Sequence, residues 1–302
     1  MKKKPNFIIV GAQKAGTTSI FNTLSQHPDI YIPKVKECRY FSKINNKVLN
    51  PFNGKRHSVQ VCNNTDDYYD LFDSCKNEKV ISDISPDYLY YYKETIDNIK
   101  NEIGDSVKIL IVLRNPIDRA ISNYYHMLRE GETDLTISEI IDSERLWDKN
   151  VWCGFRIVEN GIYYDRVSAF IKSFKDVRVM FFEDLIHDSS FFYNELYSFI
   201  DVRNIGRVAD DRCFKNKSGL VALHPCVTYL KNIKLLRSIV KMLATSILGP
   251  NRVDKWWLKY REDRTFKPQV DDKVKALLIE LYSDDIRKLS SLIKRDLSCW
   301  LK

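Results

Sequence analysis

The sequence predicts an α/β fold in which a mostly parallel central sheet is flanked by helices. Three observations predict it. Phe7-Ile8-Ile9-Val10 is an apolar strand that passes through a glycine-bounded loop, Gly11 to Gly16, into a helix opening at Thr17. Val107 to Leu113 is a second apolar strand, followed by Arg114-Asn115-Pro116 and an amphipathic helix for which Pro116 is a suitable first residue. Shorter strands at 80–84 and 177–182 alternate with helical stretches, the pattern of a parallel sheet with crossover helices. Ligands bind such sheets beyond the carboxyl ends of the strands, where Lys14, Asp83 and Arg114 all fall.

The first loop is a phosphate cradle. Gly11 and Gly16 let backbone N–H groups approach an anion, Lys14 adds a charge, and the helix from Thr17 directs its positive end at the same spot. The Walker pattern places lysine directly after the second glycine; here Thr17 occupies that slot, Thr18 keeps the hydroxyl position and the lysine has moved to 14. The second strand ends in Arg114, where a P-loop kinase would present a metal-holding acid, and an arginine suits a metal-free phosphate. A P-loop nucleotide kinase is therefore the alternative that these two positions disfavour. In the helix after Pro116, Ile117, Ala120, Ile121, Tyr124 and Leu128 have core spacing, and Ser122 falls off that stripe.

Between these motifs, His27-Pro28-Asp29 stops the first helix, Ile30-Tyr31-Ile32 is extended, and Pro33 leads into Lys34-Val35-Lys36-Glu37-Cys38-Arg39-Tyr40-Phe41. The strand at 80–84 ends at Ser85-Pro86. Beyond it, Gly161-Ile162-Tyr163-Tyr164 opens a helix through Phe174, and the strand at 177–182 is followed by Glu183-Asp184, read as a strand-end cap and helix N-terminal charge. In 229–248, Lys231, Lys234, Arg237 and Lys241 interleave with apolar residues as a basic amphipathic helix, either packed on the core or set against a membrane surface or anionic polymer. Trp256-Trp257 suits either sugar stacking or a core edge.

Taken together, the loop and the Leu113-Arg114-Asn115-Pro116, Asp118-Arg119-Ala120, Ser122 series resemble the cofactor motifs of sulfotransferases that use 3′-phosphoadenosine 5′-phosphosulfate (PAPS). The resemblance implies the sulfotransferase fold, a P-loop-like sheet, over one domain, 1–302, with a basic helical insert at about 220–265. It implies that residues Lys14, Ala15, Gly16, Thr17, Thr18 and Ser19 hold the 5′-phosphosulfate and that Arg114 and Ser122 hold the 3′-phosphate. Cys213 to Gly219 resembles the late loop over the adenosine, with Lys215, Lys217 and Gly219 as contacts or, alternatively, as a charged surface turn. The segment at 36–41 is similar to the Lys-Glu-x-His-Phe-Phe run of glycan sulfotransferases related to the heparan sulfate enzymes. By that likeness Glu37 is the catalytic base, with a surface ion pair to Lys34 or Lys36 as the alternative. Arg39 replaces the histidine, and its fixed charge suits an acceptor contact. Asp83, Ser85, Pro86 and Tyr88 follow the related Glu-Lys-Ser-Pro-x-Tyr pattern, with Ile84 in place of the lysine, and Asp83 is an expected acceptor contact. His126 is either an acceptor contact or a satisfied surface histidine. The implied reaction is sulfuryl transfer to an acceptor hydroxyl on a glycan, with a small alcohol or phenol as the alternative acceptor, Lys14 assisting the leaving oxygen, 3′-phosphoadenosine 5′-phosphate (PAP) as product and no metal.

Composition is consistent with that reading. The 302 residues, 44% hydrophobic, suffice for one large domain, and 48 Lys and Arg against 40 Asp and Glu suit an anionic ligand. No nucleic-acid motif accompanies the charge, so no nucleic-acid partner is expected. Seven cysteines without a Cys-x-x-Cys pair give no metal or redox motif. No stretch reaches the ~18 apolar residues of a membrane span. Animal Golgi relatives carry an amino-terminal anchor, so the expectation is either a bacterial cytoplasmic enzyme or an excised domain, the first favoured by the lysine- and asparagine-rich composition, and any peripheral membrane contact would run through 229–248.

Overall fold

The computed structural model describes residues 2–148, 150–206, 220–221, 265–266 and 270–302. The expected insert at 220–265, the basic stretch 229–248, Trp256-Trp257 and the loop carrying Lys215, Lys217 and Gly219 lie outside the described residues, apart from the short strands at 220–221 and 265–266.

Five parallel strands form the central sheet: β1 (Phe7–Gly11), β2 (Ile30–Tyr31), β5 (Val80–Ile84), β6 (Lys108–Leu113) and β7 (Val177–Phe181). Their spatial order is β2-β5-β1-β6-β7, so the phosphate-loop strand β1 lies at the centre, between β5 and β6. Successive side chains of Phe7 to Val10 and of Ile109 to Leu113 point to opposite faces of the sheet and all are buried, so both faces are covered, which is why these segments read as unbroken apolar runs and not as alternating ones. A separate antiparallel hairpin, β3 (Lys47–Leu49) with β4 (Arg56–Ser58), stands off the sheet, and β8 (Leu220–Val221) pairs with β9 (Thr265–Phe266).

Helices α1 (Thr17–Leu24), α2 (Thr65–Asp70), α3 (Tyr92–Glu102), α4 (Pro116–Glu130), α5 (Ile137–Glu144), α6 (Tyr164–Ser173), α7 (Phe182–His187), α8 (Ser189–Phe199) and α9 (Asp272–Ile293) surround the sheet. The second strand-to-helix turn forms as the sequence predicts. Pro116 opens α4, and the Asn115 side chain accepts from the Ile117 N–H at 2.9 Å. Packing of α4 departs from the single predicted stripe: Arg119, Ser122 and Asn123 are buried, whereas Ile121, Tyr124 and Leu128 are only half-buried. The polar side of this helix faces a cleft and the single turn at Cys153–Phe155, where Asn123 donates to the Gly154 carbonyl at 3.1 Å.

The long carboxyl-terminal helix locks the far side of the core. Helix α6 has no cap from its own segment; Asp285 of α9 accepts from the Tyr163 and Tyr164 N–H groups at 2.7 and 3.0 Å, a cap supplied from a distant helix. Arg295 makes a forked contact with Asp184 at 2.6 and 2.7 Å, and Trp300 packs its ring against Phe181. Among the described residues no helix is long and apolar enough to cross a membrane.

Candidate active site

The phosphate loop owes its shape to close neighbours. A Cβ on Gly11 would stand 2.5 Å from Leu89, and one on Gly16, whose φ is +83°, would stand 2.7 Å from the Phe182 ring. Both glycines are required by contact, and Gly16 also by its left-handed backbone. The Ala12 N–H donates to the Val112 carbonyl at 2.6 Å, holding the loop over the end of β6. Helix α1 then begins with Gly16 at its N-cap, no acidic residue in its first turn and no side-chain cap. Its first N–H groups have no intrahelical partner, so the helix offers donors and a positive dipole end to an anion.

Arg114 reaches this loop from β6. One guanidinium nitrogen donates to the Lys14 carbonyl at 3.1 Å, the group lies over the Phe182 ring at 4.6 Å, and the Arg114 carbonyl accepts from the Tyr163 hydroxyl at 3.0 Å. Glu183 accepts from the Asn115 N–H at 2.7 Å, so it fixes the turn from the start of α7. Ser122 is buried on the face of α4 that borders the same cleft.

The cleft has a volume of about 480 Å³. Burial, reinforced by the charges of Arg129 and Arg114, pulls the Lys14 ammonium down to about 8. Burial tends to raise the Glu37 carboxyl, but Lys36, Arg39 and Lys14 outweigh it and hold the group below the usual glutamate range. Lys36 donates to Glu37 Oε1 at 2.9 Å and to Thr18 Oγ1 at 2.8 Å, and Arg39 donates to Glu37 Oε2. The ion pair with Lys36 thus forms at the edge of the cleft, with both side chains about three-quarters covered, and not at an open surface. His126 is drawn down to about 4 by burial and then by Lys14 and Arg129, and its Nδ1 accepts from Arg129 at 2.8 Å. Across the cleft, Trp152 stacks on His57 with centroids 5.3 Å apart, and His57 Nδ1 lies 3.0 Å from Glu132 Oε1.

Lys14, Gly16, Thr17, Thr18, Ser19, Glu37, Arg39, Arg114, Ser122 and His126 therefore meet in one cleft. Ala15 is buried behind the loop, with its N–H directed to the Ala12 carbonyl at 3.3 Å, and does not line it. Asp83 requires correction as an acceptor contact: its carboxylate points into the core and accepts from the hydroxyls of Tyr68, Ser85 and Tyr88 at 3.0, 3.0 and 2.8 Å. The strand ends at the ligand edge of the sheet, but this side chain turns inward. Sequence reasoning missed Arg129, His57, Glu132 and Trp152, which come from no motif. The periodicity of α4, which puts Arg129 one turn beyond His126 and two beyond Ser122, could have found the first of them.

Among the described residues no group of three His, Cys, Asp or Glu side chains could hold a metal ion. The residues do fit a nucleotide carrying phosphates. Besides the α1 donors and the cations, Ser19 Oγ at the loop's edge is buried without a partner, an orphan hydroxyl where an anion would satisfy it.

Known proteins provide an independent comparison. The crystal structure of a sulfotransferase from Alicyclobacillus acidocaldarius superposes with a TM-score of 0.69 at 26% identity, covering 99% of this chain and all of the other. A membrane-associated sulfotransferase, kil1, of Dictyostelium discoideum is 26% identical over 125 residues, 41% of this chain and 23% of the relative. The bovine bifunctional heparan sulfate N-deacetylase/N-sulfotransferase 2 is 32% identical over 134 residues, 42% of this chain and 13% of that protein. Human heparan sulfate glucosamine 3-O-sulfotransferase 3B1 is 23% identical over 220 residues, 72% of this chain and 50% of the relative. The chain thus spans between about an eighth and half of the length of these three curated relatives. Residues 4–225, which include the phosphate loop, Glu37, Arg114 and Ser122, match the sulfotransferase domain, and the chain belongs to that family.

Proposed function

We propose that this protein transfers a sulfuryl group from PAPS to a hydroxyl of a carbohydrate acceptor. The observation that carries the reading is the convergence on one cleft of the loop at 13–19, the Arg114 and Ser122 pair and Glu37, contributed by three separate parts of the chain. Arg114 stands where a metal-dependent kinase would carry an acid, so the cleft is cationic at the point where a nucleotide's phosphates would lie.

The loop amides, the α1 N-terminus and Ser19 would hold the 5′-phosphate, and Arg114 with Ser122 the 3′-phosphate. Bound PAPS would supply the sulfuryl group, whose bond to the 5′-phosphate oxygen would break as the acceptor oxygen bonds to sulfur. Lys14, half-buried within the loop, would place its charge on the oxygen that departs, a contribution that grows with the charge developing there. Glu37 would receive the acceptor's proton. Both of its oxygens are held by cations, Lys36 on one and Arg39 on the other, so it works as a base when an acceptor hydroxyl displaces one of them. His126, uncharged at neutral pH, would offer the acceptor a neutral ring and not a second cation.

A carbohydrate acceptor is supported by the names of the relatives, which include heparan sulfate enzymes, and by the stacked Trp152 and His57 rings that line the cleft. The test is transfer of radiolabelled sulfuryl from PAPS to a panel of glycans, small alcohols and phenols, with Glu37→Gln as control. Labelled glycan with the parent and at least a hundredfold less with the variant is the expected result. Label on phenols or small alcohols alone would exclude the carbohydrate reading. Phosphorylation with ATP and magnesium in place of sulfation would exclude the sulfotransferase.

A further inference from the structure

Arg39 stands between two carboxylates. Its Nη2 donates to Glu37 Oε2, and its Nη1 donates to the carbonyls of Glu37 and Gln60 at 3.1 and 3.0 Å. On the opposite side, Arg39 Nε lies 3.6 Å from Asp87 Oδ1, too far for a hydrogen bond. Both of those atoms are buried and have no other partner. Asp87 itself is fully buried in the turn after β5, and Ser42 donates to its other oxygen at 2.7 Å. A buried carboxylate oxygen and a buried guanidinium nitrogen that face each other without bonding call for an explanation.

We propose that Asp87 is a positioning residue for proton transfer: it shares Arg39 with Glu37 and so keeps the Glu37 carboxylate able to accept a proton from the acceptor hydroxyl. The inference rests on the sulfotransferase reading and deepens it. Two anions compete for one cation. When the Arg39 Nε approaches Asp87, the Nη2 grip on Glu37 loosens, and a Glu37 oxygen becomes free to accept. The proton moves from the acceptor oxygen to Glu37, and the acceptor's electron pair goes to the new bond with sulfur. Asp87 neither gives nor receives it. Arg39 is suited to this because its planar fork presents donors in two directions, which a lysine cannot do.

The charged and titratable surroundings are consistent with the competition. Glu37 is faced by Lys36 and Arg39 from its own segment, by Lys14 from the phosphate loop and by His126 from α4. Asp87 is faced by Arg39 and Glu37, and by Tyr88, Tyr91 and Cys153 from the elements packed around it. Arg39 is the cation common to both. Burial raises Asp87 to about 6, with Arg39 opposing the rise, so its charge is present at neutral pH and lost on mild acidification.

The test follows the Glu37 side-chain carboxyl by carbon NMR in glutamate-labelled protein, assigned with Glu37→Gln, without nucleotide or acceptor. In the parent chain the Glu37 signal should show a second inflection near pH 6 as Asp87 ionises. Asp87→Asn, which keeps the shape and removes the charge, should lower the Glu37 midpoint by roughly one unit. Arg39→Lys should raise it, and the acid limb of the sulfuryl-transfer pH profile should move in the same two opposite directions. A purely structural role would lower thermal stability in both variants without opposed shifts. Absence of the second inflection in the parent, or an Asp87→Asn midpoint that stays or rises, overturns the inference. A parent that shows the inflection but does not bind PAP overturns the sulfotransferase reading instead.

Discussion

The guanidinium of Arg114 donates to the backbone carbonyl of Lys14 at 3.1 Å, joining two residues 100 positions apart in the chain. Together with the Ala12 N–H to Val112 carbonyl bond and the pairing of β1 with β6, this contact sets the end of β6 against the loop after β1, so the two candidate phosphate motifs form one surface. It also uses only part of the five-donor fork and leaves the remainder for an anion.

Replacing Arg114 should therefore act twice, on the loop and on the ligand. Charge-assisted hydrogen bonds contribute about 1.5–3 kcal/mol each, so Arg114→Ala should weaken PAP binding by roughly ten- to a hundredfold. Calorimetry on the variant measures this, and Arg114→Lys should recover little because a lysine lacks the fork.

The Lys14 ammonium gives a pH dependence with a definite sign. In the free protein it titrates at about 8, held down by burial and the neighbouring arginines. A bound polyphosphate favours the charged form and raises that value. Affinity for PAP should then be level below pH 8 and fall up to about tenfold per unit above it, as binding takes up a proton. Lys14→Ala should bind more weakly and lose this slope.

Gly16 should tolerate no side chain. Gly16→Ala places a methyl group against Phe182 on a backbone with φ of +83°, a conformation that costs about 1–3 kcal/mol for other residues. Thermal unfolding and PAP binding should both suffer. Adding Phe182→Leu should relieve the steric part and leave the conformational part.

Asp83 should matter for stability and not for the acceptor. Asp83→Ala leaves the Tyr68 and Tyr88 hydroxyls buried without their acceptor, at about 1–3 kcal/mol for each. Denaturant unfolding should show the loss, while the acceptor KM of the folded fraction stays within about twofold.

The remote cap on α6 offers a test of the fold. Asp285→Ala removes the acceptor for two N–H groups and should cost about 0.5–2 kcal/mol, read as a lower Tm with unchanged nucleotide affinity.

Much of this arrangement was legible in the sequence, because local features dictate it. Apolar runs bounded by Gly11 and Arg114 specify buried parallel strands, and Pro116 after Asn115 specifies the start of α4. Other parts depend on distant contacts that spacing does not encode. Asp285 caps a helix more than a hundred residues upstream, and His57 meets Trp152 only because the β3–β4 hairpin lies near the cleft. Asp83 was misread for a related reason: the end of a parallel strand points to the ligand edge, but which way a given side chain turns depends on the hydroxyls waiting on each side. Ser122 lies off the apolar stripe yet is buried, since the polar side of α4 faces a cleft and not solvent.

The most direct test of the central claim is calorimetric titration with PAP in the presence of a chelator, beside ATP with magnesium. The expected result is tight PAP binding that needs no metal and that Lys14→Ala and Arg114→Ala each weaken at least tenfold. Absence of PAP binding, or a preference for ATP with magnesium, would contradict it.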